Sequence, residues 1–214
     1  MKLYSYWRSS ASYRVRIALA LKRIAYETIP IHLVKNGGGQ NSEDYRKLNP
    51  QGRVPLLVDG DFKLTQSMAI LSYLESQYPQ PALLPADARA RARVWAFCEA
   101  INADIQPLQN SGPLGYLTRE FKISEDQKTT WLRHWIERGL AALEQELAPG
   151  RDEACVFGAT PTLADCLLVP QMYAAERFAA ETAKFPRLKA IAEQLRLRPE
   201  FIAAHPDRQP DANT

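Results

Sequence analysis

Two adjacent hydroxyl side chains, Ser9 and Ser10, stand where a short apolar segment gives way to a helical pattern, and Arg8 directly precedes them. The N-terminus of a helix leaves backbone N–H groups unpaired and carries a partial positive charge, so it stabilises an anion held beside it. Ordinary helix capping is the alternative role, since serine caps well. Because one serine suffices for a cap, the pair together with Ser12 predicts contact with a ligand.

The segment from Ser9 to Ser12 contains no cysteine. Thioredoxin-type redox proteins place a Cys-x-x-Cys pair at such a strand-to-helix step, where the thiols of the protein itself react. Any thiol chemistry in this chain must therefore use a sulfur that the protein does not supply. The residues thus predict a bound small thiol.

Two more pairs of residues stand at the predicted ends of elements. Pro55 opens a predicted strand; if its peptide bond is cis, the N–H and C=O of Val54 are available to an extended ligand, whereas a trans proline at an edge strand is the alternative. Gln66 and Ser67 precede a helical pattern, where a hydroxyl and unpaired N–H groups can hold a carboxylate. Helix capping is again the alternative for Ser67.

The second half of the chain also contains candidate residues, but their role depends on whether they face a cleft. Polar residues cluster at 104–113 around Pro107, which must disturb a helix, so we expect them to face a cleft; a solvated loop is the alternative. Arg177 is either a surface charge of a helix or a second cation facing that cleft. Thr162 and Asp165 have capping-box spacing, which we interpret as structural.

The periodicity of apolar residues predicts an α/β unit followed by a helical one. Strand patterns cover residues 2–6 and 27–33 with a helix over 10–24 between them, which is a βαβ unit with parallel strands; a hairpin around Asp59-Gly60 and a helix over 67–78 follow. Three prolines within 79–85 interrupt regular structure. Helical patterns then occupy 86–105, 124–147, 163–180 and 186–197, so we predict domains at 1–80 and 88–214.

Composition excludes several classes of protein. The 214 residues carry a net charge of +3, which helps to attract a small anion but lacks the concentrated basic charge of a nucleic-acid binder. Cys98, Cys155 and Cys166 are too few for a disulfide framework and have no metal-ligand spacing with the three histidines, so we expect buried thiols and no metal. Without a signal-peptide or membrane-span pattern, the expected location is the cytoplasm, with no membrane partner.

These motifs resemble the zeta class of the glutathione transferase superfamily over nearly the whole chain. The motifs that carry the resemblance are residues 9–19, 48–50 with 54–55, 66–70, 104–110, 161–165 with 169–171, and the tail 205–211. The resemblance implies a thioredoxin-like N-terminal domain joined to an all-α helical bundle, usually as a homodimer. The class usually has a cysteine where this chain has Ala11. Because the reacting sulfur of the class comes from glutathione, activity is expected to survive this change.

Residue roles follow from the resemblance, with glutathione as the cofactor. The glutathione thiolate would meet Ser9 and Ser10, its cysteinyl backbone would pair with Val54, and its γ-glutamyl carboxylate would rest on Gln66 and Ser67. Further glutathione contacts would come from Gln40, Gln106, Asn110 and Ser111. Arg8 and Arg177 would pair with the carboxylates of an anionic, dicarboxylate-type substrate and with the enolate charge.

The implied activity is glutathione-dependent cis–trans isomerisation of maleylacetoacetate to fumarylacetoacetate, in the breakdown of tyrosine and phenylalanine. Isomerisation of maleylpyruvate in gentisate breakdown, glutathione transfer to α-haloacids and a non-catalytic binding role are the alternatives. Relatives that act on maleylpyruvate tend to carry histidine at the positions of Gln40 and Gln106, so the glutamines favour the acetoacetate substrate.

Overall fold

The computed structural model describes residues 1–147 and 154–212, which form two compact units. The first unit contains Met1–Leu83 and also the chain from Leu197 onward, and the second contains Leu84–Arg196. The predicted helical domain, 88–214, instead included this last segment. Helical periodicity shows that a segment is a helix, but it does not show which unit the helix packs against.

A four-stranded mixed sheet with strand order β2-β1-β3-β4 organises the first unit. The strands are β1 Lys2–Ser5, β2 Glu27–Pro30, β3 Leu56–Asp59 and β4 Phe62–Thr65. β1 runs parallel to β2 and antiparallel to β3, and β3 runs antiparallel to β4. This confirms the predicted parallel pair and the thioredoxin-like fold, although the strand patterns at 2–6 and 27–33 extend beyond the paired residues.

The hairpin between β3 and β4 has a two-residue turn. Asp59 pairs with Phe62, so the turn consists of Gly60 and Asp61, one residue later than the predicted Asp59-Gly60 turn. Gly60 has a φ of +62°, a left-handed conformation that glycine adopts without steric cost. The turn therefore explains why a glycine stands here.

Nine α-helices lie within the described residues. They are α1 Ser10–Leu21, α2 Glu43–Leu48, α3 Ser67–Gln77, α4 Ala88–Glu99, α5 Ser111–Glu120, α6 Glu125–Glu146, α7 Leu163–Arg177, α8 Pro186–Arg196 and α9 Pro199–Ala204. In the first unit α1 crosses from β1 to β2 and packs against α3 and α9. In the second unit the buried helix α7 packs against α4 and α8. The helices α2, α5 and α9 were absent from the prediction.

The capping box of α7 is a buried network around Asp165, whose side chain has no exposed surface. One carboxylate oxygen accepts the backbone N–H and the hydroxyl of Thr162 at 2.7 and 3.1 Å, and the other accepts the N–H of Val156 at 2.8 Å. Burial raises the pKa of Asp165, and these hydrogen bonds oppose that rise. The structural interpretation of the Thr162–Asp165 pair is confirmed.

Features of other protein classes can be checked over the same residues. Within residues 1–147 and 154–212, no helix has the length and apolar character needed to cross a membrane. Nor does this part of the chain group three or more His, Cys, Asp or Glu side chains as metal ligands. Cys98, Cys155 and Cys166 are buried and form no disulfide with one another.

We predict that Asp165→Asn lowers the free energy of unfolding by about 1–3 kcal/mol, because the amide places a donor where the carboxylate accepts N–H groups. The measurement is urea denaturation followed by circular dichroism. Asp126→Asn, in the exposed first turn of α6, removes the same charge and should change stability by less than about 0.5 kcal/mol. Equal effects of the two substitutions would contradict the proposed role of the buried network.

Candidate active site

Three chain segments meet at one end of the sheet of the first unit: they follow β1, precede β3 and follow β4. Tyr4 of β1 pairs with Leu56 of β3, and Leu56 pairs with Thr65 of β4. Continuing this register by one residue sets the end of β1 beside the start of β3, and the start of β3 beside the end of β4. The predicted site residues of these segments are Ser9, Val54, Gln66 and Ser67. The sheet register thus places the chain segments that carry these residues at the same end of the sheet.

Ser9 is the N-cap of α1. Its hydroxyl oxygen accepts the N–H of Ser12 at 3.2 Å, and its own N–H donates to the carbonyl of Tyr6 at 3.0 Å. Because a hydroxyl has one hydrogen and two lone pairs, this cap leaves the O–H of Ser9 able to donate to an anion. Ser10 is the first residue of the helix, and both serines are half-buried. Ser9 therefore combines the structural role and a hydrogen-bond donor in one group.

The N-terminus of α3 is a second place where an anion can bind. No side chain caps it: Gln66 stands at the cap position with a φ of +69°, and its amide nitrogen donates to the side-chain oxygen of Gln51 at 2.7 Å. Ser67 is buried, and its hydroxyl oxygen accepts from the guanidinium of Arg14 in α1 at 3.1 Å. The unpaired N–H groups of this helix end could hold a carboxylate.

Sequence reasoning missed the role of Arg14, although a signal was present. Arg14 and Arg16 are 1% and 0% exposed, within a helix whose other buried residues are mostly apolar. A buried arginine must be hydrogen-bonded, because an unpaired buried charge is very costly. Two arginines on the apolar part of a predicted helix therefore indicate polar partners brought from elsewhere in the chain.

The backbone that enters β3 is fixed by side chains. The peptide bond between Val54 and Pro55 is cis, which decides between the two forms that the sequence left open. Just before it, the carbonyl of Arg53 accepts the hydroxyl of Tyr45 and the side-chain amide of Asn49, both at 2.7 Å. Burial raises the pKa of Tyr45 to about 12, so this hydroxyl remains a donor at neutral pH. Val54 itself is buried in an apolar cluster with Tyr45.

Two more predicted residues of the first unit, Gln40 and Arg8, already contact other residues through part of their side chains. The amide nitrogen of Gln40 donates to the carbonyl of Leu33 at 3.2 Å, and within the described residues its amide oxygen has no hydrogen-bond partner. Arg8 is half-buried, and its guanidinium carbon lies 5.1 Å from the centre of the Trp7 ring. The Gln40 oxygen is therefore a buried acceptor that the described residues leave without a donor.

The four remaining predicted residues lie in the second unit. A π-helical turn, Ala100–Ile105, is followed by a 3₁₀ turn, Gln106–Gln109, so the helix is disturbed at Pro107 as expected. Asn110 caps α5 by accepting the N–H of Ser111 at 2.8 Å, which replaces the loop alternative with a structured turn and a helix. Arg177 is exposed in the last turn of α7, 4.4 Å from the ring of Phe178.

Buried hydrogen bonds hold this 3₁₀ turn in place. The indole N–H of Trp131 donates to the carbonyl of Leu108 at 2.8 Å. The side-chain amides of Gln109 and Gln171 exchange two hydrogen bonds, each of 3.1 Å. The polar residues at 106–111 therefore stand on a rigid support within the second unit.

A cavity in the second unit, with a volume of about 720 Å³, lies away from these residues. Its walls come from α4, the end of α6, α8 and the chain before α7, and they include Arg93, Phe157 and Ile191. None of the predicted site residues is among the described residues that line it. The candidate site is therefore defined by the helix N-termini and not by this cavity.

Comparison with known proteins gives one consistent group of relatives. Residues 1–76 match the model of the glutathione S-transferase N-terminal domain. The chain is 48% identical to a maleylacetoacetate isomerase of Pseudomonas aeruginosa over 212 residues, covering 99% of this chain and 98% of that protein.

Solved structures agree with this grouping. A maleylpyruvate isomerase, described as a bacterial glutathione S-transferase of the zeta class, superposes with a TM-score of 0.95 at 42% identity, covering 99% of this chain and 100% of that one. A maleylacetoacetate isomerase from Anaeromyxobacter dehalogenans, with dicarboxyethyl glutathione and citrate in its active site, has a TM-score of 0.86 at 43% identity; the coverage is 99% and 93%.

We predict that Gln66→Gly is more stable than Gln66→Ala by about 1–2 kcal/mol. Both variants lose the hydrogen bond to Gln51, but only glycine removes the strain of a positive φ. At ordinary positions alanine is the more stable of the two. Urea denaturation of both variants measures the difference, and an alanine variant as stable as the glycine variant would show that this backbone is unstrained.

Proposed function

The chain belongs to the zeta class of the glutathione transferases, and from this membership we propose that it is a glutathione-dependent cis–trans isomerase. In this proposal it converts maleylacetoacetate to fumarylacetoacetate by reversible addition of the glutathione thiolate. It works as a cytoplasmic homodimer in the breakdown of tyrosine and phenylalanine. The observation that carries the proposal is the hydroxyl of Ser9, which accepts the N–H of Ser12 and keeps its own hydrogen for an anion at the head of α1.

Glutathione lies along the end of the sheet at which β1 and β4 end and β3 begins. Its sulfur contacts Ser9 and Ser10, and its cysteinyl backbone pairs with Val54, which precedes the paired register of β3. Its γ-glutamyl carboxylate rests on the uncapped N-terminus of α3, at Gln66 and Ser67. Further contacts are assigned to Gln40, Gln106, Asn110 and Ser111. The support for the carboxylate position is a helix end that no side chain caps and that buried Arg14 supplements with positive charge.

Ionisation of the thiol is the first task of the site. A free thiol has a pKa of about 8.5, so lowering it by about two units requires about 2.7 kcal/mol of preferential stabilisation of the thiolate. The N-terminus of α1 contributes roughly 0.3–1 kcal/mol, and a hydrogen bond to a charged group contributes about 1.5–3 kcal/mol. Together one helix end and the Ser9 hydroxyl contribute about 1.8–4 kcal/mol, a range that includes the required value.

Isomerisation then needs no other cofactor. The thiolate attacks one carbon of the cis double bond, a C–S bond forms, and the π electrons move to the conjugated carbonyl as an enolate. The central C–C bond is now single and rotates. Collapse of the enolate expels the thiolate, which leaves the trans product and unchanged glutathione. Arg8 and Arg177 are assigned to the substrate carboxylates and to the enolate charge.

The bound compound of a relative supports this sequence of steps. The compound in the Anaeromyxobacter isomerase is dicarboxyethyl glutathione, which is glutathione that carries a saturated dicarboxylate group. This is the type of adduct that thiolate addition to an unsaturated dicarboxylate produces. A maleylpyruvate substrate is the second candidate, because the maleylpyruvate isomerase superposes on this chain with a TM-score of 0.95.

We predict that the protein consumes maleylacetoacetate only when glutathione is present, and that glutathione is not depleted. The absorbance of the substrate measures the rate, and a thiol assay measures free glutathione. The same assay with maleylpyruvate decides the substrate, with maleylacetoacetate expected to have the higher kcat/KM. A rate that is independent of glutathione would refute the proposed function, and a higher kcat/KM for maleylpyruvate would reassign it.

We predict that Ser9→Ala raises the pKa of the bound thiol by about 1–2 units, the equivalent of one hydrogen bond of about 1.5–3 kcal/mol to the thiolate. Because a more basic thiolate is also more nucleophilic, kcat at neutral pH should fall by roughly 3- to 20-fold. Ser42→Ala is the matched control, because Ser42 caps α2 by accepting the N–H of Tyr45 at the same 3.2 Å. Each variant should lose about 1 kcal/mol of stability with its cap, but only Ser9→Ala should lose activity. Steady-state kinetics at saturating glutathione gives the result, and equal kcat for both variants would move the activating role away from Ser9.

A further inference from the structure

The C-terminal tail, residues 205–211, is a motif with no part in the mechanism above. It follows α9 and folds against the first unit: the ring of His205 lies 6.1 Å from that of Tyr13 in α1. The side-chain amide of Gln209 donates to the carbonyls of Ala203 and His205 at 3.1 and 2.9 Å. Asp211, at the end of this turn, is only 5% exposed. A buried carboxylate on such a braced segment needs an explanation.

Asp211 is bound to the loop of residues 6–9 that joins β1 to α1. Its carboxylate accepts the backbone N–H of Trp7 at 2.9 Å. The carbonyl of Trp7 accepts from the guanidinium of Arg16 at 2.9 Å. Arg16 also donates to the carbonyl of Ala204 in α9 at 3.0 Å. Both polar backbone groups of Trp7 are therefore held by buried charged side chains, one of which belongs to the C-terminal tail.

The position of Trp7 determines the position of Ser9. The N–H of Ser9 donates to the carbonyl of Tyr6, so residues 6–9 form one tight turn with Trp7 inside it. A displacement of Trp7 moves the Ser9 hydroxyl relative to the end of α1. We propose that Asp211 is a positioning residue of the active site, which fixes the Ser9 hydroxyl by holding the backbone N–H of Trp7. This inference rests on the proposed role of Ser9 in thiol ionisation.

The acceptor position of Asp211, and not its charge, carries this role. A negative charge close to a site that must ionise a sulfur opposes the ionisation, because like charges raise the pKa of an acid. A neutral acceptor at the same place would hold Trp7 as well. Two variants separate these properties: Asp211→Asn keeps an acceptor at the same distance without the charge, and Asp211→Glu keeps the charge but moves it by one methylene.

The experiment measures the pKa of the thiol of bound glutathione from the ultraviolet absorbance of the thiolate, together with kcat and KM for glutathione. Asp211→Ala and Asp211→Glu should raise this thiol pKa by about one unit, which is a roughly tenfold loss of thiolate well below the pKa. Because a more basic thiolate is also more nucleophilic, kcat at neutral pH should fall about three- to tenfold. KM for glutathione should change less than twofold, and Asp211→Asn should keep most of the wild-type kcat and thiol pKa.

Asp207→Ala is the control, since Asp207 lies exposed in the same tail, with its carboxylate 3.7 Å from the ring nitrogen of His205. Asp207→Ala should leave the thiol pKa and kcat unchanged. If Asp211→Ala does not fold, the comparison of Asp211→Asn with Asp211→Glu decides alone. The inference would be overturned if Asp211→Glu kept the wild-type thiol pKa. It would also be overturned if Asp211→Asn lost as much kcat as Asp211→Glu. A wild-type protein that does not lower the thiol pKa of glutathione would instead refute the proposed function.

Discussion

The geometry of the first unit depends on the hydrogen bonds that the buried guanidinium of Arg16 donates. Arginine remains ionised in proteins, and with no exposed surface its donors must all find acceptors inside the fold. They find them on three segments: the Ser5 hydroxyl in β1, the carbonyls of Tyr6 and Trp7 in the loop of residues 6–9, and the carbonyl of Ala204 in α9. Moving any one segment leaves a buried charge partly unpaired. The loop of residues 6–9 is therefore connected to β1, α1 and α9 through one buried side chain.

The sheet register gives the site its second constraint. β1 and β4 end, and β3 begins, at the same end of the sheet. The helices α1 and α3, which follow β1 and β4, therefore both begin at that end. Arg14 joins the two helices through the hydroxyl of Ser67. Two positive helix ends beside an extended strand entry suit a peptide-like ligand that carries a thiol and a carboxylate. The proposed position of glutathione follows from this arrangement more than from any single side chain.

What the sequence predicts here is what local patterns encode. The βαβ unit, the hairpin and the capping box at Thr162 each depend on residues close together in the chain, and the structure confirms them. The six-residue helices α2 and α9 are too short to show a full apolar period. The contact of Asp211 with Trp7 spans 204 residues, so no local pattern contains it. The positive φ of Gln66 also escapes prediction, because glutamine has no preference for that conformation.

The Ser9 hydroxyl shows why capping and ligand binding are not competing explanations of one residue. The cap uses a lone pair of the oxygen, since the N–H of Ser12 donates to it, whereas binding an anion uses the hydrogen. The bond from Ser12 holds the Ser9 oxygen in place and does not use its hydrogen. A serine at this position is thus held by the secondary structure and still has a hydrogen to donate.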